Sequence, residues 1–163
     1  MLDISAFIDR LLILCRIVIV KCELIVLERG NGFDMNVPGF RADWWQYPSR
    51  QSHDDIDDVK LMVKNEEIAR AKIEKMRYSL SELYSELSGI QEVYKVCLFE
   101  VRDSFRRRGI GCIFAEILTN HYAPASLIAF SEDADEFWGS IGWARCQRND
   151  GNSRCQSLFV NNI

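Results

Sequence analysis

Apolar positions in this chain change period several times, and each change marks an element. Residues 22–28 (CELIVLE) form a short apolar run closed by Gly30 and Gly32, which predicts a first strand. Apolar residues over 59–63 and 68–73 flank Lys64-Asn65-Glu66-Glu67, the pattern of a hairpin. Leu80, Leu83, Tyr84 and Leu87 share one helical face. Ser79 with Glu82 makes a capping box and Gly89 a stop, so a helix is predicted there. Residues 94–101 (YKVCLFEV) are rich in β-branched and aromatic side chains, a strand signature. Ile110, Ile113, Phe114, Ile117 and Leu118 then fall at i, i+3, i+4, i+7 and i+8, one apolar helical face. A fifth strand over 125–131 and a further helix follow. The chain ends in a hairpin of 143–148 and 153–160 around Asn149-Asp150-Gly151-Asn152. After residue 20 the predicted order is β, loop, ββ, α, β, α, β, α, ββ.

Composition narrows the setting. A length of 163 residues with 48% apolar content suits one α/β domain over 1–163, with its clearest pattern over 59–160 and its weakest over 1–53. The stretch 11–27 is apolar but interrupted by Arg16, Lys21 and Glu23, charges that are costly in lipid. It has neither a basic leader nor a cleavage site, so a helix running into the first strand is expected, with no membrane partner. A formal charge of −4 argues against general nucleic-acid binding. The six cysteines (Cys15, Cys22, Cys97, Cys112, Cys146, Cys155) form no CxxC pair and read as reduced thiols of a cytoplasmic protein. Asp54, Asp55, Asp57 and Asp58 lack calcium-loop spacing and read as a solvated turn, so no metal is expected.

Residues 101–111 (VRDSFRRRGIG) carry the clearest chemistry. An arginine- and glycine-rich turn joins a strand to a helix, and the helix start offers unpaired backbone donors and a positive dipole end. Gly109 and Gly111 remove side chains where a ligand must approach the backbone. Trp44, Trp45 and Tyr47 cluster in an early loop bounded by Pro38, Gly39 and Pro48; they either line a pocket or cover one edge of the core.

Val101, Phe105, Arg106, Gly109 and Gly111 meet every fixed position of V-x-x-x-[YF]-[RQ]-x-x-G-x-[GA], so the segment resembles the acetyl-CoA-binding motif of the GNAT superfamily of N-acetyltransferases. Ala134, Phe137, Trp138, Ile141, Gly142 and Trp143 resemble a second block of that family. The resemblance implies a mixed, largely antiparallel sheet splayed between strands four and five and flanked by helices, with acetyl-CoA as donor substrate. It implies that backbone groups of Phe99 and Val101 hold the pantetheine arm. The pyrophosphate would rest on the turn formed by Arg106, Arg107, Arg108, Gly109, Ile110, Gly111 and Cys112. Ser131, Ala134, Phe137 and Trp138 complete the implied cofactor site.

The implied chemistry is direct transfer to a primary amine. Glu100 is the first candidate base and Glu132 the second, with an oxyanion donor near Val101. Trp138 stands where the family often has an acidic tyrosine, and an indole N–H does not release its proton near neutral pH. Ser131 stands where asparagine is common; it either caps the next helix or touches the pantetheine. Three outcomes follow: thiolate leaves without a side-chain acid, another group such as Ser131 or Tyr122 substitutes, or the protein binds acetyl-CoA without turning over. His121 at a helix end reads as structural, His53 has no visible partner, and Cys112 is not needed as a nucleophile. The implied acceptor groove lies between the loop of Trp44, Trp45 and Tyr47 and the terminal hairpin. Two other readings stand beside the transferase: a noncatalytic acyl-CoA binder and a toxin-like enzyme acting on aminoacyl-tRNA. Homodimerisation through the terminal hairpin or the N-terminal apolar segment is a further expectation.

Overall fold

The computed structural model describes residues 22–28, 31–45 and 55–162. The N-terminal apolar segment, Gly30, Tyr47 and His53 lie outside the described residues. Seven strands form one sheet: β1 (Cys22–Val26), β2 (Ile56–Val63), β3 (Glu66–Lys75), β4 (Val93–Val101), β5 (Ser126–Ser131), β6 (Ala144–Cys146) and β7 (Ser157–Val160). Their order is β1-β2-β3-β4-β5-β7-β6. Every neighbouring pair is antiparallel except β4 with β5. Among the described residues three α-helices accompany them: α1 (Ala42–Trp45), α2 (Ile110–Tyr122) and α3 (Asp135–Ser140). The result is the splayed mixed sheet that the resemblance implied.

The β2–β3 connection is tighter than the four residues read from the pattern. Lys64 and Asn65 both take positive φ, 48° and 66°, so two residues turn the chain in the manner of a primed hairpin. Alternation along β5 and β7 then serves two cores at once. Leu127, Ala129 and Phe159 join Phe114 and Leu118 of α2 on one face, while Ile128, Leu158 and Val160 pack with Tyr84 and Leu87 on the other.

The helix predicted around 79–87 does not form. Ser79 Oγ accepts the amide of Ser81 at 3.1 Å, a local turn in place of the capping box. The carbonyls of Glu82 and Leu83, which a helix would need, accept instead from Asn149 Nδ2 and N at 3.0 and 2.9 Å. Glu86 takes the amide of Gln147 at 2.8 Å, which lowers its carboxyl pKa. The terminal loop has captured the backbone, leaving only a 3-10 turn at Ser85–Leu87. That loop is also longer than the predicted hairpin turn, since β6 ends at Cys146 and β7 begins at Ser157.

The acidic run is another departure. Asp57 and Asp58 belong to β2, where Asp58 pairs with Lys72 at 2.6 Å and Asp57 accepts the Tyr122 hydroxyl at 3.0 Å; Asp55 pairs with Arg77. These carboxylates have protein partners, and no group of metal-ligating side chains occurs among the described residues. Among those residues no helix is long and apolar enough to cross a membrane.

Candidate functional site at the fork of the sheet

The site begins with a pairing that stops early. β4 and β5 pair over 93–96 and 126–129 only. Val96 faces Ile73 on β3 and Leu98 faces Lys72, so Cys97 is an extra residue opposite that step. Such a bulge bends and twists its strand. Beyond it, β4 continues along β3 while β5 stays with β7, and the two parallel strands part. The fork is a cleft of about 510 Å³. Phe99 and Leu98 form one wall, Phe130, Glu132, Ala134 and Trp138 the other, and Asp43 and Trp44 of α1 close one side. Trp44 therefore lines the pocket, whereas Trp45 is buried in the core.

Past the end of β4 the chain turns through Asp103–Phe105 and enters α2. Arg107 (φ 58°) and Gly109 (φ 77°) take the left-handed conformation. At Gly109 the missing side chain would meet nothing within 4 Å, so this glycine answers a conformational need beside open space. No side chain caps this end of α2. The amides of its first turn keep their donors for an external acceptor.

Gly111 has a different reason from the one expected. A Cβ there would lie 3.0 Å from Cε2 and 3.4 Å from Cζ of Phe137. The glycine lets α3 dock against α2, rather than opening the backbone to a ligand. Phe137 in turn packs on Phe99, whose ring also stacks on Phe114 at 5.0 Å between centroids. The cleft wall thus rests on the glycine.

The arginines of the turn divide into two groups. Arg106 folds inward: Nε donates to Val101 O at 2.9 Å, and Nη2 reaches Glu100 Oε1 at 2.9 Å and Asp103 Oδ1 at 3.0 Å. Arg102 reaches back to the early loop, with Nε on Pro38 O at 2.8 Å and Nη1 on Glu66 at 2.7 Å. Arg107 and Arg108 are exposed, and neither pairs with a carboxylate among the described residues. Arg108 lies 5.9 Å from the Phe105 ring centroid. Of the turn's four arginines, these two are left without a carboxylate partner among the described residues.

Glu100 is buried at 4% exposure and is not part of the cleft wall. It lies on the opposite pleat from Phe99 and beneath the early loop. Its carboxylate accepts the Arg41 amide at 3.1 Å from each oxygen, the Trp45 indole N–H at 2.6 Å and the Arg106 guanidinium. A carboxylate so occupied fixes a loop and has no free lone pair aimed at an amine. The structure thus engages the first candidate base with protein donors, and two of them, Arg41 and Trp45, lie 59 and 55 residues away, where no local pattern announces them.

Beside it Arg70 is almost fully buried. Its guanidinium bonds Glu67 at 2.6 Å and lies 3.8 Å from the Phe40 ring centroid and 4.8 Å from that of Phe33. This buried pair under aromatic rings forms the floor on which the early loop rests. Sequence reading missed it, since Glu67 was read as part of the hairpin turn and Arg70 lies in a strand read for its apolar positions alone.

Ser131 is buried and its Oγ accepts the Ala134 amide at 3.1 Å, a turn that leads into α3, whose own first turn no side chain caps. Tyr122 is the last residue of α2, away from the cleft lining and bonded to Asp57, and burial raises its phenol pKa. His121 is exposed in the last turn of α2 and meets only the Tyr122 ring edge-on. Cys112 is exposed. Cys97 lines the cleft, but burial pushes its thiol up to about 12 and its Sγ donates to Glu74 Oε2 at 3.3 Å. Glu132, the second candidate base, is exposed on the cleft wall.

The sheet is thus forked between two parallel strands, with a cleft in the fork and an uncapped helix start following β4. No protein-family model and no curated protein sequence matches this chain. Solved structures do. AtaT complexed with acetyl-methionyl-tRNAfMet is 12% identical, with a TM-score of 0.60 over 85% of this chain and 94% of that one. AtaTR bound with acetyl-CoA is 10% identical, with a TM-score of 0.59 over 86% and 92%. An acetyltransferase of the GNAT family from Streptococcus agalactiae is 11% identical, with a TM-score of 0.50 over 65% of each chain. The chain has the fold of the GNAT superfamily, in agreement with its two sequence blocks.

Proposed function

We propose that the protein is an N-acetyltransferase that moves the acetyl group of acetyl-CoA directly to a primary amine. The parting of β4 from β5 after Val96 carries this reading. From Cys97 onward the β5-facing edge of β4 has no strand partner among the described residues, so its backbone groups, apart from Val101 O, which accepts Arg106 Nε, are open to the amide-bearing pantetheine arm. The residues fit the donor in a second respect. The uncapped first turn of α2 offers the amides of Ile110, Gly111 and Cys112 to a pyrophosphate, and exposed Arg107 and Arg108 add charge for the nucleotide phosphate. Phe99, Ala134 and Trp138 supply apolar surface for the thioester end.

In the transfer the amine lone pair attacks the thioester carbonyl carbon. A C–N bond forms, the carbonyl π pair moves to oxygen, and its return expels the thiolate as the C–S bond breaks. The ammonium proton goes to Glu132, directly or through water, and ends on the thiolate or in solvent. Glu132 takes the base role because it lines the cleft, where Glu100 does not. Holding both reactants in one cleft supplies much of the acceleration, since thiolate is a tolerable leaving group.

A noncatalytic acyl-CoA binder is the second reading. Trp138 favours it: the indole is 5% exposed and packed against Phe99, Phe137 and Trp143, with no titratable acid in its place. An aminoacyl-tRNA acceptor, as in the AtaT complex, has less support. Arg102 and Arg106 are committed within the protein, which leaves Arg107 and Arg108 as the exposed cations of the turn.

Calorimetric titration with acetyl-CoA, desulfo-CoA and CoA, combined with thiol release over an amine panel, tests these readings. Binding with thiol release on one amine class supports the transferase and names the acceptor. Binding without release on any amine or aminoacyl-tRNA favours the binder. No binding refutes both.

A further inference from the structure

We infer that Glu100 is a positioning residue that couples donor binding at the phosphate turn to the shape of the acceptor wall. The inference rests on the acetyl-CoA reading above. Two sets of contacts stitch the turn to the early loop. In the first, Arg102 Nε donates to Pro38 O at 2.8 Å and the Asp103 amide donates to Gly39 O at 2.9 Å. The fit is close, since a Cβ on Gly39 would lie 3.1 Å from Arg102 Cγ, and Gly39 itself has a φ of 88°.

In the second, the Glu100 carboxylate is shared. One side receives Arg106 from the turn at 2.9 Å, and the other receives the Arg41 amide and the Trp45 indole at 3.1 and 2.6 Å. Arg41 immediately precedes α1, and α1 carries both Asp43 and Trp44, the cleft-lining residues of the early loop. A ligand held by the backbone at 106–112 therefore acts on Arg106, Arg106 on Glu100, and Glu100 on the start and end of α1. Because Glu100 is buried, these bonds are made in a medium that screens them little. Coupling of this kind is reciprocal, so an amine seated against Trp44 would also tighten the donor.

Hydrogen exchange on the full chain with and without acetyl-CoA tests the proposal, using wild type, Glu100→Gln and Arg106→Gln. In wild type, acetyl-CoA should slow exchange at 106–112 and, by about tenfold, at 38–45. In both variants the slowing at 106–112 should persist within about threefold while that at 41–45, the residues Glu100 holds, disappears. A purely structural Glu100 would not produce this: its loss would raise exchange at 41–45 equally with and without ligand. Slowing confined to 106–112 in wild type, or slowing at 41–45 that survives both substitutions, would overturn the coupling while leaving the donor reading intact. No slowing anywhere in wild type overturns the donor reading and the coupling together. Arg106 is half-exposed, so Arg106→Gln carries the test even if Glu100→Gln does not fold.

Discussion

Arg106 Nη2 lies 2.9 Å from Glu100 Oε1, and of this pair only the arginine reaches solvent, with side-chain exposures of 46% and 3%. The asymmetry sets what each truncation does. Glu100→Ala strands the Arg41 amide, the Trp45 indole N–H and a guanidinium at once, and should destabilise the fold by about 2–4 kcal/mol. Arg106→Ala leaves the buried carboxylate with two neutral donors but without its counter-charge, so a smaller loss of about 1–2 kcal/mol is expected. Urea unfolding of the two variants checks this. Equal losses would mean that Glu100 is not the hub of these contacts.

The two glycines of the turn should fail differently. Gly109→Ala meets no neighbour but must hold a φ of 77°, a cost of about 1 kcal/mol that Asn at the same site would largely avoid. Gly111→Ala drives a methyl to 3.0 Å from the Phe137 ring, so the ring must shift, at about 1–3 kcal/mol. Because Phe137 packs on Phe99, Gly111→Ala should also weaken acetyl-CoA binding, and Phe137→Leu should restore part of the stability. Thermal unfolding with calorimetric binding on the four variants separates strain from crowding.

Cys97 faces the cleft but should not react. Burial raises its thiol to about 12, so at pH 8 its thiolate is a minor species, while exposed Cys112 and Cys155 label readily. The raised folded value also fixes a sign. The protonated thiol contributes stability that is complete below the unfolded thiol pKa of about 8.5 and is lost as pH rises toward 12. Cys97→Ala should flatten the alkaline decline in stability over that window. Mass spectrometry after incubation with acetyl-CoA should find no acetylated Cys97; a trapped acyl-enzyme there would replace direct transfer with a two-step route.

Much of the fold was legible because local chemistry and packing agree. The period-3.6 face of α2 is the face that meets the sheet, and Lys64-Asn65 turn the hairpin their neighbours predict. The predicted 79–87 helix failed where distant groups intervene: Asn149 takes the carbonyls of Glu82 and Leu83 from 67 and 66 residues along the chain. The site divides the same way. The turn around Gly109 was readable from a contiguous motif, while the employment of Glu100 depends on Arg41 and Trp45, whose arrival beneath β4 no spacing encodes. Gly111 shows the middle case, a residue correctly singled out for a reason only packing reveals.

If Glu132 takes the amine proton, Glu132→Gln should lower kcat/KM by about 10²–10⁴ and remove the acidic limb of the pH–rate profile. Its exposure means that stability should change by less than about 0.5 kcal/mol. The measurement is thiol release against pH with the acceptor found in the amine panel. An unchanged profile in Glu132→Gln would assign proton removal to water and leave the residue as one wall of the cleft.

Trp138 offers a test by gain. Its ring packs at 5.6 Å from Phe99 and 4.7 Å from Trp143, centroid to centroid, so a smaller aromatic keeps most of those contacts and opens a small void. Trp138→Phe therefore measures the void alone, since neither side chain can give up a proton. Trp138→Tyr adds a hydroxyl to the same void at the cleft wall, and a phenol near the departing sulfur can protonate it where the indole cannot. If the chain transfers acetyl groups without a side-chain acid, Trp138→Tyr should raise turnover by about 10-fold or more over Trp138→Phe, with acetyl-CoA affinity the same in both. Equal turnover in the two variants would show that thiolate departs unaided here. Turnover that emerges in Trp138→Tyr from an inactive wild type would show that the fork binds the donor but lacks only an acid, the state the binder reading describes.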